Sequence, residues 1–142
     1  VAHFRVFGEP KGQPRPRACI RGHHAAVYDP GTAQDWRDLI SLTANRYRPA
    51  SPLEDPVFVV MSFFLPVPDR RHALLARQAP ACHVSKPDID NLVKSTLDAL
   101  TGSGYWLDDS LVVDAVLRKR YATALIPPGA DIEVFRILEL EA

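Results

Sequence analysis

Pro56-Val57-Phe58-Val59-Val60-Met61-Ser62-Phe63-Phe64-Leu65-Pro66 contains the longest apolar stretch of the chain, rich in β-branched and aromatic residues and closed by a proline at each end. That composition and those boundaries predict a strand rather than a helix. Apolar residues on both parities predict burial of both faces, as a central strand or as an interface strand. Ser62 interrupts the run, which is about half of the ~20 residues that a bilayer-crossing helix needs.

Outward from this strand the pattern changes several times. Residues 3–7 alternate, Phe4 and Val6 against Arg5, and predict a short strand ended by Gly8. Residues 9–24 carry Pro10, Gly12, Pro14, Pro16 and Gly22 and read as a loop. Thr32 followed three residues later by Asp35 forms a capping-box pattern. Trp36, Leu39, Ile40, Thr43, Ala44 and Tyr47 then recur at helical spacing, predicting a helix of roughly 14–16 residues that Pro49 stops. Residues 69–81 lack clean periodicity and read as a loop, with one or two helical turns open over residues 72–78. Asp88 or Asp90 caps a second helix through Thr101, with Val93, Leu97 and Leu100 as its apolar face and Gly102 and Gly104 beyond its end. Residues 111–121 are β-rich, and residues 131–140 alternate in part through Ile132, Val134, Leu138 and Leu140. With Pro127-Pro128-Gly129 as the turn, these two read as antiparallel strands. The order predicts one small α+β domain over residues 1–142, its helices packed on a mixed or antiparallel sheet.

Composition agrees with one folded domain: 142 residues, 46% hydrophobic and 24% charged, exclude disordered and fibrous classes. The start, Val1-Ala2-His3-Phe4-Arg5, lacks the basic-then-apolar run of a signal peptide, so a cytoplasmic protein without a membrane partner is expected. Cys19 and Cys82 are too few for a disulfide framework and read as reduced thiols. His23, His24 and His83 complete no metal-ligand spacing and read as loop or core residues. Net charge is zero, yet residues 1–80 hold 11 Lys and Arg against 7 Asp and Glu, while residues 81–142 hold 6 against 10. A chain that contacts phosphates with one region and a divalent cation with another shows such a split.

The acidic region concentrates in Lys86-Pro87-Asp88-Ile89-Asp90-Asn91-Leu92-Val93-Lys94 and Trp106-Leu107-Asp108-Asp109-Ser110. Pro87 keeps Lys86 out of helical geometry, so Asp88 lies in extended chain and Asp90 starts the helix. Both carboxylates can then point the same way. Asp90 and Lys94, four apart, share a helix face, which brings an ammonium near whatever Asp90 binds. Mg²⁺ takes one or two protein carboxylates and completes its shell with waters and substrate oxygens. A metal that activates water, with a lysine offsetting charge on phosphate, describes a metal-dependent nuclease. Each piece also has a plainer reading: Asp88 or Asp90 as helix cap, Asp90–Lys94 as a surface ion pair, Asp108-Asp109 as a solvated turn. Spacing alone leaves the two readings level.

The run Lys86-Pro-Asp-Ile-Asp-Asn-Leu-Val-Lys94, then Asp98-Ala-Leu100, Gly104-Tyr-Trp-Leu-Asp-Asp109 and Val112-Val113-Asp114, resembles the RusA-type Holliday junction resolvases. The resemblance is close over residues 86–121, extends to Gly8-Glu-Pro-Lys-Gly-Gln-Pro-Arg-Pro-Arg17, and adds little over residues 49–81. It implies a small α+β resolvase domain, working as a homodimer with two metal sites that nick opposing strands of a four-way DNA junction symmetrically in recombination and repair. It places the essential aspartates on Asp88, Asp90 and Asp109 and the essential lysine on Lys94. It also implies Mg²⁺ or Mn²⁺ as cofactor, and it ranks Asp108 below Asp109, which spacing does not separate.

Lys11, Arg15, Arg17 and Arg21, with His23 and His24, form a basic loop free of acids between residues 10 and 28. Such a loop contacts phosphates or merely solubilises. Lys86, Arg118, Lys119 and Arg120 join the candidate DNA contacts: Lys119 matches a lysine frequent in the family, and Arg118 and Arg120 share the parity of Asp114. Tyr105 and Trp106 suit core or dimer packing better than stacking on an unpaired base. Two further readings compete, a non-catalytic branched-DNA-binding module and a nuclease preferring flaps or single strands.

Overall fold

The computed structural model describes residues 2–12, 17–21, 24–28 and 33–138. In chain order it forms strands β1 (Ala2–Phe7), β2 (Arg17–Arg21) and β3 (His24–Tyr28), helix α1 (Gln34–Ala44), strand β4 (Val57–Leu65), helix α2 (Ile89–Gly102) and strands β5 (Val112–Tyr121) and β6 (Gly129–Arg136). Two 3-10 segments, Asp69–Ala76 and Asp109–Leu111, lie between them. The main sheet has the order β1-β6-β4-β5, with β4 antiparallel to β6 and parallel to β5, so the domain is α+β on a mixed sheet. Among the described residues no helix is long and apolar enough to cross a membrane.

The apolar run at 57–65 is the central strand. Val57, Val59, Met61, Phe63 and Leu65 are buried on the side that also carries Phe4, Val6, Ile132 and Val134. The helices supply Trp36, Ile40, Ala44, Leu92, Ala99 and Leu100 to this core. The opposite side of β4, expected to be buried as well, is only partly so: Phe58, Val60 and Ser62 are half-buried, although Phe64 is buried. Two aromatic residues lock the helical layer to the sheet. Tyr105 Oη donates to the Ala44 carbonyl at 2.8 Å, and Trp106 Nε1 donates to Thr101 Oγ1 at 2.7 Å. Buried aromatics with satisfied polar ends fix one packing arrangement.

Several expectations are corrected. The residues 111–121 and 131–140 strands are not paired with each other, because β4 inserts between them and takes ladder bonds from both. Its two-sided apolar pattern favours the centre of the sheet, whereas β5 is exposed over much of its length and sits at the edge. The basic loop is not all loop: β2 and β3 pair antiparallel, Arg17 with Tyr28 through Arg21 with His24. The prolines stop at Pro16, and none follows before Pro30, which leaves a hairpin-length segment free to pair. Helix α1 spans 11 residues and ends at Ala44, short of Pro49. Its last turn tightens, with Arg46 N–H donating to Thr43 O and Tyr47 N–H to Ala44 O, and Tyr47 leaves the helix to stack on Phe4 at 5.7 Å. Ala33 stands at its N-cap; Thr32, the expected capping residue, lies outside the described residues, as do Arg15, His23 and Leu140. Residues Asp69–Ala76 form 3-10 turns kinked at Arg71.

Candidate active site

Asp88 takes extended backbone angles, φ −69° and ψ 148°, directly before α2, as a residue following Pro87 and preceding a helix does. Its carbonyl accepts from Leu92 N–H at 3.2 Å, yet its carboxylate caps no backbone N–H. The acid therefore remains available, with Lys86 Nζ at 3.6 Å. One turn on, the buried stripe of α2 is Leu92, Ser95, Thr96, Ala99 and Leu100. Ser95 and Thr96 are accommodated because Thr96 donates to the Leu92 carbonyl at 2.9 Å and Ser95 shares its one proton between that carbonyl at 3.0 Å and the Lys11 carbonyl at 2.8 Å. Val93 and Leu97, expected in the core stripe, are half-buried on the flank. That flank, Ile89, Asp90, Val93, Lys94 and Leu97, meets Leu117 of β5 and Asp109 to line a cavity of about 390 Å³. Its floor is aliphatic and its charged groups are Asp90, Lys94 and Asp109.

Asp108 and Asp109 have different surroundings. Asp108 Oδ1 accepts from Ser110 N–H at 3.3 Å, capping the 3-10 turn, and this bond holds its carboxyl below the usual range. Asp109 is pushed the other way. Its hydrogen bond with Asp108 is the main cause, followed by partial desolvation and repulsion from Asp108 and Asp98, with Lys94 opposing. Mutual repulsion among carboxylates raises a pKa where cations are too few to offset it. Lys94 Nζ lies 3.6 Å from Asp98 Oδ1, so its ion-pair partner is Asp98 and not Asp90. Asp98 thus joins the site electrostatically. Its i,i+4 spacing from Lys94 was the sequence signal for it.

Among the described residues no group of three His, Cys, Asp or Glu side chains is arranged to hold a metal ion. Asp90 and Asp109 share the cavity, whereas Asp88 stands outside its lining. Two carboxylates with open coordination positions suit Mg²⁺, which retains water and takes substrate oxygens, so the donor set fits the ion.

None of the candidate DNA-contact residues lines this cavity among the described residues. Ser95 Oγ donates to the Lys11 carbonyl at 2.8 Å, which docks residues 11–12 on α2. A Cβ at Gly12 would lie 3.0 Å from Asn91 Cβ and 3.1 Å from Pro87 Cβ, so only glycine allows so close an approach without adjustment. Lys11 itself pairs with Glu9 at 3.0 Å and is exposed. Arg17 and Arg21 lie at the two ends of β2. Lys86 and Arg118 are exposed, and Arg120 is half-buried. Lys119 Nζ donates to the Ser85 and Pro87 carbonyls at 2.7 and 2.9 Å. Tyr105 and Trp106 are fully buried in the core and present no stacking surface. Cys82 is an exposed free thiol. His83 is buried with Nδ1 unpaired.

A family model described as "Endodeoxyribonuclease RusA" matches residues 8–134. "Uncharacterized protein YqaN" of Bacillus subtilis (strain 168) is 33% identical over 124 residues, covering 84% of this chain and 87% of that protein. "Crossover junction endodeoxyribonuclease RusA" of Escherichia coli O139:H28 is 56% identical over 36 residues, which is 23% of this chain and 30% of that protein. The corresponding protein of Enterobacteria phage 82 is 53% identical over a segment of the same length. The chain thus spans less than a third of these two junction endonucleases at high identity and most of the Bacillus protein at lower identity.

Proposed function

The chain belongs to the RusA family of endodeoxyribonucleases, and from that membership we propose that it is a cytoplasmic, Mg²⁺- or Mn²⁺-dependent endonuclease that resolves four-way DNA junctions in recombination and repair by paired, symmetrical nicks. The observation that carries this reading is the convergence of Asp90, Lys94 and Asp109, from two separate segments, on one cavity.

In this reading Asp90 and Asp109 would hold the divalent ion, with Asp88, from the extended residue ahead of α2, as a further carboxylate. When bound, the ion would supply Lewis acidity to offset charge on the phosphate and to acidify water. Lys94, held by Asp98 until DNA arrives, turns its ammonium to the phosphate oxygens and stabilises the charge that builds there. Asp108 keeps the turn in shape, so that Asp109 presents its carboxylate to the cavity. Lys11, Lys86 and Arg120, with Arg15, Arg17 and Arg21 of the basic segment, contact backbone phosphates and set affinity and its salt dependence.

Paired nicks need two sites, and the homodimer is supported by the outer edge of β5, which ahead of Lys119 has no ladder partner among the described residues. Antiparallel pairing of two β5 strands about Val116 sets Asp114 of each copy opposite Arg118 of the other. Neither residue has an ion pair among the described residues.

The test is cleavage of a synthetic four-way junction, labelled on each arm in turn, with Mg²⁺, Mn²⁺ or chelator. Metal-dependent symmetrical nicks, abolished by Asp90→Asn with junction binding retained, are expected. Binding without nicks would establish a non-catalytic branched-DNA module, and faster cleavage of flaps or single strands would reassign the substrate.

A further inference from the structure

The tail of β5, Arg118-Lys119-Arg120, is basic on both parities, as a phosphate-binding strand end would be. The middle residue is engaged elsewhere. Lys119 Nζ donates to two carbonyls of the segment that leads into α2, those of Ser85 at 2.7 Å and Pro87 at 2.9 Å. The same segment is laddered to β5 one step earlier, with His83 N–H donating to Lys119 O at 3.2 Å and Tyr121 N–H to Ala81 O at 2.8 Å. Downstream, the helix begins with Leu92 N–H on Asp88 O. Between these two anchors the connector is largely exposed, Val84 at 80% and the Lys86 side chain at 87%, while half-buried Pro87 lies against Gly12. Two charge-assisted hydrogen bonds from one half-buried ammonium are the fastening of this connector. The residue that emerges from it is Asp88.

We propose that Lys119 is a positioning residue for Asp88: by gripping the carbonyls of Ser85 and Pro87, it fixes where the Asp88 carboxylate stands relative to Asp90 and Asp109. The inference rests on the metal-site reading above. It gives Lys119 a role different from phosphate contact, and the two roles have separate signatures. An outer residue that orients a ligand changes metal affinity, typically by 10- to 100-fold. A lysine that binds phosphate changes DNA affinity and lowers the salt slope by about one.

The experiment titrates Mn²⁺ into the full chain without DNA, following free Mn²⁺ by electron paramagnetic resonance, for wild type, Lys119→Met, Lys119→Arg, Asp88→Asn and the Lys119→Met/Asp88→Asn double variant. Lys119→Met keeps the aliphatic stem and removes the donors. It is expected to weaken Mn²⁺ binding roughly tenfold or more, while Lys119→Arg recovers part of the loss. The double variant is expected to bind no more weakly than Asp88→Asn alone, because Lys119 acts through Asp88. Circular dichroism and a thermal melt of each variant show that the fold is retained. Four-way-junction binding in chelator is expected to keep its wild-type salt slope in Lys119→Met. Wild-type Mn²⁺ affinity in Lys119→Met, additive losses in the double variant, or a salt slope reduced by about one would each overturn the positioning role and leave the nuclease reading intact. A wild-type chain that binds no Mn²⁺ overturns the metal site itself, and the positioning role with it.

Discussion

Asp108 and Asp109 are adjacent, equally exposed to sequence reading and chemically identical, yet their hydrogen bonds separate them. Asp108 is occupied by Ser110 N–H, so Asp108→Asn, which still accepts that bond, is expected to keep most cleavage activity. Asp109→Asn removes the carboxylate that the cavity holds among like charges and is expected to abolish cleavage while sparing junction binding. Gel assays of both variants on one labelled junction check the pair; equal loss in both would contradict the assignment. His83 gives a second prediction at this scale. It is buried against the Tyr121 ring at 4.6 Å, with Arg71 stacked over that ring. Burial and then the Lys119 charge lower its pKa from 6.5, a contact with the Ser85 backbone opposing. Its unfolded form therefore binds protons more readily than its folded form. Stability is complete above about pH 6.5 and declines as pH falls from there through the lowered folded pKa. Urea midpoints measured from about pH 7.5 down to 5.5 are expected to fall in wild type and to flatten in His83→Phe, which cannot titrate.

Helix α2 is the element that assembles the site, with its buried stripe on the core, its Asp90–Lys94 flank on the cavity and Ser95 reaching residues 11–12. Ser95→Ala removes the donor to the Lys11 carbonyl. A stability loss of about 1 kcal/mol is expected by chemical denaturation. Junction affinity should fall further than that, because the basic segment loses its dock beside the cavity, whereas Mn²⁺ affinity should stay unchanged. A parallel loss of Mn²⁺ affinity would show that Ser95 supports the helix rather than the segment. Much of this element was legible in sequence: Asp88 ahead of the helix, Asp90 and Lys94 on one face, and Gly104 past the end, although Gly102, expected beyond the helix, is its last residue. The full buried stripe was not. Leu100 is buried and Val93 and Leu97 pack half-buried against the core as their spacing predicts, but Leu92, Ser95, Thr96 and Ala99 are buried as well, the two hydroxyls being satisfied on carbonyls. The strands show the same division. The two-sided apolar run marks β4 as a strand, but its place between β5 and β6 depends on which edges are left to pair, a property of the assembled sheet. The β2–β3 hairpin was hidden by averaging Arg17–Tyr28 with the proline-rich residues before it. Lys119 is a candidate DNA contact through its match to a lysine frequent in the family, and such a match does not reveal the Ser85 and Pro87 carbonyls to which its ammonium donates.

At the scale of the whole molecule the sheet is covered on one side by helices and ends in β5, whose outer edge is open only in part among the described residues. The last third of β5 is shielded by residues 81–83, whereas Val113 and Val116 nearer its start are 59% and 37% exposed. An open edge with apolar side chains is a template for pairing, and proteins leave one only where a partner occupies it or charge guards it. Here the charges complement each other under a two-fold rotation. Pairing about Val116 matches Asp114 with Arg118, continues the four-stranded sheet into one of eight strands, and makes the contact isologous, as closed dimers require. It also places two copies of Leu117, which lines the cavity, close to the two-fold axis, so that both sites open beside one junction. Light scattering of the wild-type chain at micromolar concentration is expected to give the mass of two chains. Arg118→Asp sets like charges opposite each other in both symmetry-related pairs, and its mass should fall to one chain. The exchanged variant, Asp114→Arg with Arg118→Asp, restores opposite charges across the contact and should return the mass to two chains. Restoration by the exchange is the decisive arm, since no loss of local stability would be reversed by a second substitution on the same edge. A monomeric exchanged variant would place the dimer contact on another surface.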